Sequence, residues 1–69
     1  MKIRAQKDIL RKIIGIKQYV TARDIFLASI ILYPEADFKS PAQIAQILEQ
    51  MNDIKFVRSH ATSPKLYKI

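Results

Sequence analysis

Apolar residues recur at helical spacing in the middle of the chain, with a polar face opposite them. They occupy positions i, i+3, i+4 and i+7, which form one buried stripe of a helix: Ile44, Ile47, Leu48 and Met51. The opposite face is rich in amides: Gln43, Gln46 and Gln50. Ser40 is a natural N-cap, Pro41 suits the first helical position, and Gln43 completes a capping box. The pattern predicts a helix over about residues 41–51.

A longer apolar run, residues 25–33, follows a second capping signal. Thr21 predicts an N-cap, and Asp24 three residues later completes a box and favours the helix dipole. The run is apolar almost all the way round, which indicates a central helix covered by neighbours on several sides. Pro34 ends it, because the residue before a proline avoids helical dihedrals. We therefore expect a helix over about residues 22–33.

The first twenty residues carry a basic amphipathic pattern. Apolar side chains fall on two adjoining sides of a helix, with the lysines and arginines mostly opposite: Ile9, Leu10, Ile13, Ile14 and Ile16. Gly15 costs about 1 kcal/mol relative to alanine inside a helix. We therefore expect this helix to span about residues 4–15, with a continuous helix to Gln18 as the alternative.

The last sixteen residues change character. Two short segments, residues 54–58 and 65–69, are rich in β-branched and aromatic residues and enclose a polar loop that ends at Pro64. They predict a β-hairpin in which Tyr67 and Ile69 share a face against the third helix. The expected fold is one domain over residues 1–69, mostly α with a small β-hairpin (α+β), in the order of a three-helix winged helix-turn-helix.

Charge divides the chain into three parts. The net charge of +6 consists of +5 over residues 1–20, −3 over residues 21–54 and +4 over residues 55–69. Two basic ends around a more acidic middle favour a protein that binds a polyanion, and plain solubility charge is the alternative.

The residue types exclude several kinds of chemistry. The chain has no cysteine and one histidine, His60, so neither disulfides nor a thiolate metal site is available. The carboxylates are scattered, and the hydroxyl residues near His60 have no oxyanion-hole context. We expect no enzyme activity, no cofactor and no metal. Without an apolar run of roughly 20 residues we also expect no membrane span, and a cytoplasmic protein.

Three helices followed by a basic hairpin resemble a known family, the winged helix-turn-helix domains. The closest likeness is to the C-terminal winged-helix domain of virulence-associated-E-like primase-helicases and to small DNA-binding regulators of phages and plasmids. The resemblance covers about residues 20–69 and is carried by these features: Thr21-x-x-Asp24-Ile25-Phe26, Ser40-Pro41-x-x-Ile44-Ala45-x-Ile47-Leu48 and Tyr67-x-Ile69.

The resemblance implies a DNA-binding surface. The third helix would enter the major groove with these residues facing the bases: Ala42, Gln43, Gln46 and Gln50. The hairpin and the helix ends would supply phosphate contacts: Arg23, Lys39, Ser40, Arg58, His60 and Lys65. Glutamine can pair bidentately with adenine. We expect double-stranded DNA as the partner, with single-stranded DNA as the alternative.

One departure keeps a second function open. The third helix has no arginine or lysine, and Glu49 would repel phosphate. The leading expectation is a small regulator or an accessory replication factor of a mobile element. The alternative is a protein-interaction module, an inhibitor or a subunit of a replication complex. Several isoleucines, among them Ile3, Ile9, Ile14 and Ile31, suggest a homodimer formed through the first helix.

Overall fold

The elements follow the predicted order. A computed structural model describes residues 2–58 and 62–69. These residues form α1 (Ile3–Lys17), α2 (Ala22–Leu32), a short 3-10 helix (Pro34–Ala36), α3 (Pro41–Glu49), β1 (Lys55–Val57) and β2 (Leu66–Lys68). The strands pair antiparallel, with Phe56 opposite Tyr67. The predicted α+β class, three helices and a small hairpin, is confirmed.

The core lies where the three helices meet. Its largest fully buried side chains come from all three: Leu10, Ile13, Ile14, Ile25, Ile44 and Leu48. The predicted stripe of α3 is confirmed, since Ile47 and Met51 are each only 5% exposed. Each such side chain contributes about 1.5–3 kcal/mol through removal from water. This burial fixes which side of α3 faces outward.

A backbone bridge joins the hairpin to the helical body. The Val20 amide donates to the Tyr67 carbonyl over 3.2 Å, and the Tyr67 amide donates back over 2.7 Å. Tyr67 is buried, as predicted. Ile69 is half exposed and its side chain lies beside Gly15 of α1. The expectation that Ile69 packs against the third helix is therefore wrong, because the bridge to Val20 draws the end of β2 towards α1.

Both predicted helix caps form, one of them with a changed partner. At α2, the Thr21 hydroxyl accepts from the Asp24 amide over 3.1 Å, and the Asp24 carboxylate accepts from the Thr21 amide over 3.3 Å. At α3, the Ser40 hydroxyl accepts from the Gln43 amide over 3.2 Å. The Gln43 side chain, however, accepts from the Lys39 amide over 2.6 Å, one residue before the cap.

Some element ends differ from the prediction. The expected end of α1 near Gly15 is wrong, since the helix continues to Lys17. Gln18 closes it, because its amide donates to the Ile14 carbonyl over 2.8 Å and its side chain to the Gly15 carbonyl over 3.4 Å. Ile16 is left 78% exposed. The helix α3 ends two residues earlier than predicted, and each strand is one residue shorter at both ends.

The prediction that α2 is covered on several sides is wrong. Its buried residues are Ile25 and Ser29. Four large apolar side chains stay about half exposed or more: Leu27, Ile30, Ile31 and Leu32. The reason is size, because so short a chain buries a smaller fraction of its surface than a larger domain does. In α1, by contrast, Ile9 and Ile14 are buried within the monomer, so they are not available to a dimer contact.

An ion pair ties α1 to the turn after α3. The Arg11 guanidinium donates to both carboxylate oxygens of Asp53, over 2.7 and 3.3 Å, and also to Asp8 over 3.0 Å. The hydrogen bond from Arg11 lowers the pKa of Asp53 below its ordinary value of 3.8. A lowered carboxyl pKa contributes stability above the unfolded pKa, and this contribution is lost as pH falls through the folded value.

Asp53→Asn therefore lowers the thermal midpoint near neutral pH, and the gap to the wild type closes as pH falls below about 3.8. Melting curves followed by circular dichroism across this range measure the gap. The control is Glu35→Gln, an exposed carboxylate on the 3-10 helix. A gap that is equally wide at pH values well below the folded pKa contradicts the role of the ion pair.

Gly15→Ala raises the free energy of unfolding by about 0.5–1 kcal/mol, because alanine loses less backbone entropy in a helix. The glycine does not have a positive φ, and an added Cβ meets the Ile69 side chain at 3.5 Å, an ordinary contact. Urea unfolding at equilibrium measures the change. Destabilisation instead would show that the end of β2 needs the open space beside α1.

Candidate nucleic-acid interface

The outward face of α3 is narrower than predicted. Ala42 and Gln46 are exposed one helical turn apart, and Gln50 is exposed at the C-cap. Gln43 is half-buried, and its side-chain carbonyl is engaged by the Lys39 amide. The Gln43 side chain therefore fixes the start of the helix. Of the four residues predicted to face the bases, Ala42, Gln46 and Gln50 are exposed.

An ion pair connects this face to the hairpin. The Lys65 ammonium donates to the Glu49 carboxylate over 3.0 Å and lies 4.5 Å from the centre of the Phe56 ring. The Glu49 carboxylate and the Phe56 ring thus hold the Lys65 side chain, which is only 25% exposed. The positive charge of Lys65 offsets the negative charge of Glu49, which the sequence analysis expected to repel phosphate. It also places the hairpin beside the exposed side of α3.

Three further predicted phosphate contacts lie at the starts of two helices, α2 and α3. Lys39 forms an exposed ion pair with Asp37 over 2.8 Å, and the hydrogen bond from Lys39 lowers the pKa of Asp37. Ser40 is half-buried and is occupied as the N-cap. Arg23 is exposed on the first turn of α2.

The other two predicted phosphate contacts, Arg58 and His60, follow β1 in the sequence. Arg58 is exposed directly after β1. His60 lies outside the residues that the structure describes. The Lys65–Glu49 ion pair thus joins the hairpin to α3, the helix that carries Gln46 and Gln50, whereas Arg23 belongs to α2.

Sequence reasoning missed the roles of Glu49 and Phe56. Glu49 was expected only to repel phosphate, yet it holds Lys65, and Phe56 supports the same ammonium from the hairpin. Helical periodicity shows that Glu49 faces outward. It gives no information on which residue of a distant strand lies opposite, so no signal within the sequence identified the pair.

The chain matches no protein-family model, no curated protein and no solved structure. Among residues 2–58 and 62–69, no group of three or more histidine, aspartate or glutamate side chains is placed to hold a metal ion. No helix in the same ranges is long and apolar enough to cross a membrane. The geometry of α3 and the hairpin is therefore the evidence on which a functional assignment rests.

Proposed function

We propose that this protein binds double-stranded DNA as a winged-helix module, with α3 in the major groove and the hairpin on the neighbouring backbone. The observation that carries the proposal is the Lys65–Glu49 ion pair, which makes the hairpin and the outward face of α3 one continuous surface. The net charge of +6 supports a polyanionic partner. The resemblance to mobile-element proteins favours a small regulator or an accessory replication factor, without catalysis.

In this arrangement base contacts and phosphate contacts come from different elements. Gln46 and Gln50 present amides that can pair with adenine, and the Ala42 methyl suits the thymine methyl group. Phosphates are bound by Arg23, Lys39, Arg58 and Lys65, and by backbone amides at the start of α3. Because Lys39 and Lys65 already hold carboxylates, each exchanges one anionic partner for another when DNA binds.

Glu49→Gln strengthens duplex binding and steepens its salt dependence. The change removes a negative charge facing the DNA and releases Lys65 for a phosphate, and each neutralised phosphate adds about −0.9 to the slope of log K against log[salt]. Fluorescence anisotropy with a labelled duplex at several salt concentrations measures both quantities.

The matched control for this experiment is Glu35→Gln, which makes the same charge change on the 3-10 helix, outside α3 and the hairpin. Equal gains from the two variants would mean that only net charge matters. The absence of duplex affinity at low salt would overturn the proposal.

Gln46→Ala relaxes sequence preference while leaving non-specific affinity nearly unchanged, because a side chain that reads a base edge contributes little to phosphate binding. Selection of binding sites from a random duplex pool, repeated with the variant, measures the preference. The control is Asn52→Ala, an exposed amide after the end of α3. A selected sequence that is identical for wild type and Gln46→Ala contradicts the reading role.

A second candidate function is a protein-interaction module within a replication complex. The observation favouring it is the exposed apolar side of α2, which contains Leu27, Ile30, Ile31 and Leu32. Exposed apolar clusters on small soluble proteins often mark contact sites. The duplex titration separates the two functions, since an interaction module shows no duplex affinity at low salt.

A further inference from the structure

A second basic surface lies on the outer side of the hairpin, facing away from the buried Tyr67. The pairing of β1 with β2 sets Lys55 directly opposite Lys68, and the bridge between Val20 and Tyr67 sets Tyr19 on the other side of Lys68. Tyr19, Lys68 and Lys55 thus form one row across three backbone segments. The row spans about 10 Å, two inter-strand spacings. We call it the outer row.

The outer row contains charge that the fold does not compensate. Like charges directly opposite each other in an antiparallel pair are destabilising. Within residues 2–58 and 62–69, neither Lys55 nor Lys68 forms an ion pair with a carboxylate. The Lys68 ammonium instead lies 3.4 Å from the Tyr19 hydroxyl and 5.3 Å from the centre of its ring. An anion placed between the two lysines would relieve the repulsion.

Tyr19 is held on the surface at a conformational cost. Gln18 and Tyr19 have positive φ angles of 48° and 55°, which side chains of this size rarely adopt. The Ile69 amide donates to the Gln18 side-chain carbonyl over 3.3 Å and so fixes this segment to the end of β2. Tyr19 nevertheless remains 55% exposed. Strained residues persist where surrounding contacts hold them, and they concentrate at binding sites.

An exposed aromatic ring beside one ammonium group, with a second lysine on the next strand, has a defined chemistry. Base stacking on aromatic rings, combined with a positive track for the backbone, is how proteins hold single-stranded nucleic acid without reading its sequence. A base within a duplex is already stacked on both sides and cannot reach the ring. We propose that the outer row binds single-stranded nucleic acid, with one base on Tyr19 and the adjoining phosphates on Lys68 and Lys55.

This site goes beyond the duplex-binding function, since it uses neither α3 nor Lys65. The two surfaces lie on different faces of the hairpin, because Lys65 reaches Glu49 whereas Lys68 lies against Tyr19. A protein with both would bind where duplex and single strand meet. Failure of the duplex proposal would therefore leave the outer-row proposal unaffected, and the reverse also holds.

The test is a titration of the full chain with labelled oligothymidylate and oligouridylate, followed by fluorescence anisotropy. Tyr19→Asn is the informative variant, because asparagine tolerates positive φ and removes the ring without adding backbone strain. We expect roughly 5- to 150-fold weaker binding, the range that corresponds to the loss of one stacked base. Tyr19→Phe keeps the ring and retains most of the affinity.

The lysines are tested through salt dependence. Lys55→Gln and Lys68→Gln should each reduce the magnitude of the slope of log K against log[salt] by about 0.7, the value for one phosphate of a single strand. Lys12→Gln, an exposed lysine of α1, is the matched charge control. An oligonucleotide of abasic sites, which offers phosphates without bases, should bind the wild type about as weakly as thymidylate binds Tyr19→Asn.

Thermal unfolding of each variant confirms that the fold is intact before binding is compared. No oligonucleotide binding at low salt overturns the proposal. So does equal affinity of wild type and Tyr19→Asn, or an abasic strand that binds the wild type as tightly as thymidylate does. If Gln46→Ala weakens single-strand binding and the outer-row variants do not, the single strand lies on α3 and the proposal is wrong.

Discussion

The pair of backbone hydrogen bonds between Val20 and Tyr67 is the constraint on which both proposed binding surfaces depend. A hairpin of two three-residue strands is not stable by itself in water, because too little surface is buried to offset the entropy of ordering it. The bridge adds a third segment to the sheet and anchors it at the connection between α1 and α2. It also buries Tyr67, which lies between the sheet and the helical core. Without this bridge, neither side of the hairpin has a fixed position.

Side-chain alternation then gives the two sides of the hairpin different surroundings. Tyr67 faces the core, and its neighbours Leu66 and Lys68 face away from it. Lys65, just before β2, reaches Glu49 of α3, whereas Lys68 lies against Tyr19 beside α1. The Arg11–Asp53 pair holds α1 and the end of α3 together at the start of the hairpin. One short sheet thus meets the helical body at two places, and each place brings a lysine beside an aromatic ring.

Local features of this fold are predictable from sequence, and long-range ones are not. The caps at Thr21 and Ser40 and the stripe of α3 depend on residues within one or two turns of each other, so periodicity and capping rules identify them. The end of α1 was missed because Gln18 supplies hydrogen bonds that offset the cost of Gly15. Other features depend on which distant segments of the chain meet, and local patterns do not specify this. They are the exposure of α2, the ion pair of Glu49 with Lys65 and the contact of Tyr19 with Lys68. The cap of α3 differs from its prediction only locally, since the Gln43 side-chain carbonyl accepts from the Lys39 amide instead of the Ser40 amide.

The electrostatics of the proposed DNA surface follow from partners already present. Lys39 and Lys65 hold carboxylates, so a phosphate must displace Asp37 or Glu49 before either lysine is fully engaged. Such an exchange replaces one Coulomb interaction with another. The binding free energy gained per phosphate contact is therefore smaller than for an unpaired lysine. Because exposed ion pairs contribute little stability, the exchange at the Lys39–Asp37 pair costs the fold little. A count of lysines therefore overestimates the affinity expected of the proposed surface. The lysines of the outer row have no carboxylate to displace among the described residues, so an anion there gains the full interaction.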